Sequence, residues 1–307
     1  MAACPTGWSR DEKRVKTHRS CHYERMSDGI VAFVLGGGGV LGAVEVGMLK
    51  ALFAAGLRPD LVLGTSIGAI NGVMVAADPT PNAPERLTDL WTSTAAREVF
   101  SASPPRQLAT LARTRTHLHS PEPLRRLLEA EIGPKTFDDL PVHFECCAAN
   151  IERAAEHWFT TGPVIQAVLA SSAVPGLLPP VVVDGYHYID GGIVNSIPVG
   201  RALELGARRI FVLQVGRVDH PLQVPRRPWE VASVAFEIAR RHRFARDMAN
   251  LPTGVEVHVL PTGAENAPPV GLWAPLAYRD FSRIRSMIHK ADQASRAYLR
   301  DRLGLLV

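Results

Sequence analysis

Cysteine is scarce in this sequence: there are four in 307 residues, Cys4, Cys21, Cys146 and Cys147. They form no C-x-x-C and no zinc-type spacing, which argues against a disulfide framework and against a structural zinc site. Successive residues of a strand point to opposite faces, so Cys146 and Cys147 make no natural clamp. They read as buried or unreactive thiols of a reducing compartment. Long unbroken apolar runs are also lacking. The uncharged stretch from Gly162 to Val183 contains Pro163, Pro175, Gly176, Pro179 and Pro180, and that from Gly29 to Val44 is interrupted by four consecutive glycines. A spanning helix must satisfy its own backbone, and neither stretch does so cleanly. No apolar segment of signal-peptide type precedes the charged residues near Met1. The expectation is a soluble, cytoplasmic protein that meets a membrane only at its periphery.

A strong excess of one charge is missing as well. The chain carries 34 basic and 30 acidic side chains, a formal charge of +4. Residues 1–27 hold six of the basic ones (Arg10, Lys13, Arg14, Lys16, Arg19, Arg25) against Asp11, Glu12 and Glu24, so the remainder is close to neutral. Nucleic-acid binding therefore has no support beyond this short basic tail. What is present is ordinary globular material. Hydrophobic residues make up 46% and charged residues 21%, which excludes disorder across the whole chain. The length suits one large α/β domain or two modest ones.

Residues 1–27 read as a flexible basic extension, with Met26 an alternative start, and 28–307 as the folded body. Ile30 to Leu35 is a short apolar β-rich run, as expected for a strand buried on both faces. Glycines follow, then helical spacing from Leu41 to Ala55, with Gly56 as a stop. Leu61-Val62-Leu63 predicts a second strand, and a helix follows to about Ala77. From 78 to 136 prolines cluster between helical patches such as Glu85 to Trp91 and Leu124 to Ala130. This segment reads as an irregular helical insertion and a candidate lid. Beyond it, strands are predicted at Val142 to Ile151, Val181 to Val183, Tyr186 to Ile189, Arg209 to Val215 and Val255 to Leu260. Helices are predicted at Pro163 to Ser171, Val199 to Leu205, Trp229 to Met248 and Phe281 to Leu303. Alternation of this kind predicts an α/β three-layer sandwich with a largely parallel central sheet.

Three features carry chemistry. Gly64-Thr65-Ser66-Ile67-Gly68 lies between an apolar strand and an apolar helix, the setting of a nucleophile elbow. Such a turn admits only small flanking residues and lifts the Ser66 hydroxyl to the C-terminal edge of the sheet. The adjoining helix N-terminus favours developing negative charge. Gly36-Gly37-Gly38-Gly39-Val40-Leu41-Gly42 also lies between strand and helix. Its N–H groups are suited to an oxyanion hole. The same glycines match the G-x-G-x-x-G of a dinucleotide fold, but that motif wants an acid at the end of the second strand, where Ser66 stands; Asp60 precedes the strand. The third feature, Asp190-Gly191-Gly192, follows a strand. It reads either as a plain turn or as a carboxylate that reaches across the sheet edge.

In that order, the Gly-rich loop, G-T-S-I-G and D-G-G resemble the patatin-like phospholipases. The likeness extends to Ala170-Ser171-Ser172-Ala173-Val174-Pro175-Gly176 and to the run from Asp190 to Val199, and it covers roughly Ile30 to Val215. It implies a lipid acyl hydrolase in which Ser66 is the nucleophile and Asp190 its base. Gly37, Gly38 and Gly39 would hold the oxyanion, and Gly42, Gly64, Gly68, Gly191 and Gly192 would support the turns. It implies an acyl-enzyme on Ser66 and a lipid or ester substrate, with no metal and no cofactor. Transient contact with a membrane surface follows from such a substrate; the oligomeric state is not addressed. Family members usually carry Arg or Lys where this chain has Leu41, so neutral or short-chain esters are expected to react at least as well as phospholipids.

Two other readings stay open. A conventional triad esterase would need His258 or His289, which follow Asp190 in the order such a triad requires. A catalytically silent lipid- or nucleotide-binding module would not use the Ser66/Asp190 pair. His187 reads as structural. Arg240, Arg241, Arg243 and Arg246 read as a solvated basic face, with attraction to an anionic membrane as the alternative.

Overall fold

The computed structural model describes residues 29–100, 104–215, 221–222, 224–263 and 283–306. The basic extension read at 1–27 lies outside them. Eight strands form one sheet: β1 (Ile30–Leu35), β2 (Leu61–Thr65), β3 (His143–Asn150), β4 (Ala155–Phe159), β5 (Val181–Val183), β6 (Tyr186–Asp190), β7 (Ala207–Leu213) and β8 (Glu256–Val259). The central order β3-β2-β1-β7-β8 is parallel throughout. β4, β5 and β6 join it antiparallel. The helices are α1 (Ala43–Ala54), α2 (Ile67–Ala77), α3 (Asn82–Thr92), α4 (Thr94–Phe100), α5 (Pro104–Thr114), α6 (Glu122–Ile132), α7 (Val164–Ser171), α8 (Gly192–Asn195), α9 (Val199–Glu204), α10 (Pro228–Ala249) and α11 (Ile284–Leu303).

Period-two alternation along β1 divides the core. Phe33 and Leu35 face a large cluster formed with α1, α2, α3, α6, α7 and α11, while Ala32 and Val34 face a smaller one with Val199, Ala202 and Phe244 of α9 and α10. β1 and β2 are thus buried on both faces along nearly their whole length, which is why they read as continuous apolar runs. Two helical layers enclose the sheet, as the sequence pattern predicts.

Segment 78–136 holds four helices, and they differ in their packing. Leu87, Leu90 and Trp91 of α3 and Leu124, Leu127 and Leu128 of α6 belong to the main core. On α5, by contrast, Leu108 is 68% exposed. β4 is not foreseen in the sequence reading. Its residues Ala155-Glu156-His157-Trp158-Phe159 mix charge with aromatics, and only pairing against β3 makes them a strand. The turn predicted at Asp184-Gly185 is present with φ of 49° and 80°, the left-handed pair that a two-residue hairpin requires.

The register of β3 decides where the strand ends meet. β4 pairs with Cys146 to Asn150 along one edge. β2 pairs with His143 to Cys147, and β6 with Ala148 to Asn150. Both overlap β4, so both occupy the opposite edge of β3. β2 runs parallel to β3 and ends at Thr65 opposite Cys147; β6 runs antiparallel and ends at Asp190 opposite Ala148. Two C-terminal ends therefore face each other head-on, on adjacent rungs of one strand.

Candidate active site

Ser66 is the single residue between β2 and α2. Its φ of 57° and ψ of −121° put a non-glycine residue in a sparsely populated region, at a cost of roughly 1–3 kcal/mol. The surroundings enforce it. The Ser66 N–H donates to Ser171 Oγ at 3.0 Å, Ser172 Oγ donates to the Ser66 carbonyl at 3.2 Å, and Thr65 Oγ1 donates to the Asn195 carbonyl at 2.9 Å. Close approach supplies the rest: a Cβ on Gly68 would lie 2.2 Å from the Leu35 carbonyl oxygen.

The head-on strand ends place Ser66 Oγ where it donates to Asp190 Oδ2 at 2.5 Å. The other carboxylate oxygen accepts the Gly192 N–H at 2.7 Å. Asp190 N–H donates to the Ala173 carbonyl and Gly191 N–H to that of Ser171. A Cβ on Gly191 would lie 2.2 Å from the Cys147 carbonyl oxygen, so this turn too needs glycine. The segment 171–173 at the end of α7 thus braces both Ser66 and Asp190, a role that reading Ser171 and Ser172 only as part of a matching run does not reveal. Burial, with Asp190 only 2% exposed, pushes its carboxyl up to about 6 against the hydrogen bonds from Ser66 and Gly192. A base of that strength suits neutral pH better than an ordinary carboxylate.

The glycine loop continues from β1. Gly36 N–H donates to the Leu213 carbonyl, and Gly37 N–H donates to the Ser196 carbonyl at 2.9 Å. This corrects the expectation of three oxyanion donors, because the Gly37 donor is already engaged. Gly38 and Gly39 are half-buried, and no backbone acceptor among the described residues takes their N–H groups. The loop closes through a 3-10 turn over Gly39–Gly42. Asn71, one turn beyond the elbow on α2, donates to the Gly42 carbonyl at 3.0 Å and to Glu45 Oε2 at 2.8 Å, and accepts from Trp91 Nε1. It ties the serine helix to the end of the loop. A lone polar residue on an otherwise apolar helix was the available signal. Glu45 is fully buried, and burial holds its carboxyl well above the usual range despite the Asn71 bond. Leu41 is 7% exposed and packs in the main core.

The other candidates fall elsewhere. Asp60 precedes β2 and accepts the Val31 N–H, at the end of the sheet opposite Ser66 and the glycine loop, so it does not supply a ribose-binding acid beside that loop. His258 lies on β8, separated from β2 by β1 and β7. It stacks on Phe211 and contacts Tyr298, and burial lowers its pKa. His289 is exposed on α11. Neither approaches the Ser66–Asp190 pair, so a triad with either has no geometric basis. His187 pairs with Glu152 on the exposed hairpin. The solvated basic face read on α10 holds for Arg246, which is exposed, and requires correction at Arg240. Arg240 is 2% exposed and pairs with Glu237 while donating to the Val215 carbonyl; Arg241 also meets Glu237, Arg243 meets Glu156 and Asp247, and Arg246 meets Asp247. Glu237 and Asp247 on the same helix, with Glu156 on β4, give each of the four arginines an acidic partner. Cys146 and Cys147 are buried and unbridged, and burial raises both thiols. No described helix is long and apolar enough to cross a membrane.

Lysophospholipase nte1 of Aspergillus terreus is 32% identical over 197 residues, 62% of this chain but 12% of that protein. Lysophospholipase NTE1 of Chaetomium globosum is 28% identical over 299 residues, 90% of this chain and 19% of the relative. The chain thus spans under a fifth of the length of these relatives. Among solved structures, VipD from Legionella pneumophila aligns at a TM-score of 0.45 and 14% identity, covering 89% of this chain and 67% of that one. The patatin-like phospholipase profile matches residues 33–203, the span from β1 through the elbow and the Asp190 turn to α9, and the chain belongs to the patatin-like phospholipase family.

Proposed function

We propose that the chain is a lipid acyl hydrolase acting through Ser66 and Asp190, with lysophospholipids as the leading substrate class. The observation that carries this is the Ser66 hydroxyl at 2.5 Å from a buried carboxylate on a strained strand-to-helix turn. In the reaction, Asp190 takes the Ser66 proton as Oγ bonds to the ester carbonyl carbon, and the carbonyl π pair moves to oxygen. The N–H groups of Gly38 and Gly39 hold that oxyanion. Collapse expels the alcohol, which leaves with the proton held by Asp190. Water then attacks the acyl-enzyme with the same base and releases the fatty acid. The names of the relatives support the lysophospholipid assignment. Leu41 packs in the core and supplies no cation at its own position, which supports turnover of neutral esters too.

Within 78–136, α5 is the part suited to act as a lid at a lipid surface. Its leucines are exposed, whereas α3 and α6 are built into the core. The chain beyond α5 bonds, through Leu118 and His119, to Gly176 and Leu177, which follow the 171–173 brace.

Fluorophosphonate labelling, run with hydrolysis of lysophosphatidylcholine and a short p-nitrophenyl ester, tests the assignment. Wild type should label and turn over both, and Ser66→Ala should do neither. Labelling that survives Ser66→Ala would remove Ser66 as nucleophile.

A further inference from the structure

The geometry points to Ser196 as a further catalytic residue, a hydroxyl donor to the oxyanion formed on Ser66. This rests on the acyl-hydrolase reading above. Ser196 follows α8, six residues after Asp190, and is 1% exposed. Its carbonyl occupies the Gly37 N–H, so it removes one backbone donor from the loop. Its own Oγ has no hydrogen-bond partner among the described residues. The point where a Gly37 side chain would begin lies 3.0 Å from Ser196 Oγ and 3.5 Å from Ser66 Cβ. Hydroxyl and nucleophile therefore flank the same loop residue, next to the half-buried Gly38.

A buried hydroxyl without a partner costs about 1–3 kcal/mol. Alanine would avoid that cost at the same backbone, and nothing in the fold depends on Ser196 Oγ. The hydroxyl acquires a partner once negative charge develops on an acyl oxygen beside Gly37 and Gly38. It donates a hydrogen bond there and transfers no proton, because the Ser66 proton goes to Asp190. A donor satisfied only in the transition state raises kcat and leaves ground-state binding unchanged.

Ser196→Ala and Ser196→Cys test this. Each is assayed for kcat, KM, thermal midpoint, and affinity for a trifluoromethyl ketone, whose adduct on Ser66 carries the oxyanion. A non-reactive ester-to-ether analogue reports ground-state binding. Ser196→Ala should lower kcat about 100-fold and the ketone affinity in parallel, with KM and ether affinity within about twofold. Ser196→Cys, a weak donor, should fall between. The thermal midpoint should hold or rise in Ser196→Ala. Ketone affinity and kcat that stay near wild type, or that fall no further than ether affinity, overturn the assignment. Ser66→Ala in the same series separates the two failures. Persistent fluorophosphonate labelling there sinks the site reading itself, whereas lost labelling with a neutral Ser196→Ala sinks only this inference.

Discussion

β2 and β6 deliver Ser66 and Asp190, the two groups of the proposed dyad, from unlike surroundings. β2 is buried at every residue and leads into an apolar helix, α2. β6 belongs to a hairpin whose partner strand, β5, is partly or fully exposed along its length. Ser66 is held by the middle of the sheet, Asp190 by its periphery. What equalises them is the 171–173 brace, which hydrogen-bonds to Ser66, Asp190 and Gly191 alike. The contrast predicts that the base end is the easier one to disturb.

Removing the base should have the largest effect. Asp190→Asn is expected to lower kcat by about 10²–10⁴-fold while it raises stability at alkaline pH. Asp190 holds its proton more tightly folded than unfolded, so folding takes up a proton between the ordinary value of 3.8 and about 6, and stability falls as pH rises through that window. Above it, Asp190→Asn should exceed wild type by up to on the order of 3 kcal/mol, and below it by little. Urea unfolding at pH 4 and pH 8 measures the difference; an equal effect at both would refute a buried charge.

The same shift sets the pH profile. In the proposed mechanism the ionised carboxylate is the working form, so kcat/KM should rise with pH through about 6 and be nearly flat above. A rise centred near 4 would mean that Asp190 is not desolvated in the working enzyme.

Ser171→Ala should come next. It removes the acceptor of the Ser66 N–H and leaves that buried donor unpaired, a loss of about 1–3 kcal/mol in stability. Because the 171–173 segment serves both ends, kcat should also fall roughly tenfold. Gly185→Ala probes the hairpin alone. Its φ is +80° with open space around it, so strain of about 1 kcal/mol is the only cost. Its effect on kcat should be small yet exceed that of Gly56→Ala, at φ +76° with equally open space but remote from β6. Equal effects would show that hairpin geometry does not reach Asp190.

Much of this was legible in the residues. The apolar runs of β1 and β2 and the apolar end of β7 marked a buried sheet because they are covered on both faces, and Asp184-Gly185 marked its turn by backbone conformation alone. Element types along the chain were readable for the same local reason. β4 was not, because its alternation is blurred by Glu156 and His157 and only β3 makes it a strand. Arg240 misread as a surface residue because the acceptor that buries it, the Val215 carbonyl, is 25 positions away. Gly37 misread as a donor because its acceptor, Ser196, is 159 positions away.

By itself, the order of motifs determined the chemistry on offer: a serine on a turn too tight for side chains beside it, a glycine loop rich in N–H groups, and a carboxylate followed by two glycines. Those are local properties, fixed by what each short stretch of backbone can adopt. Tertiary structure decided which of them meet. A parallel and an antiparallel strand share one edge of β3 end to end, and that register, which no single segment encodes, sets Ser66 against Asp190 and buries the pair enough to raise the carboxyl into the working range.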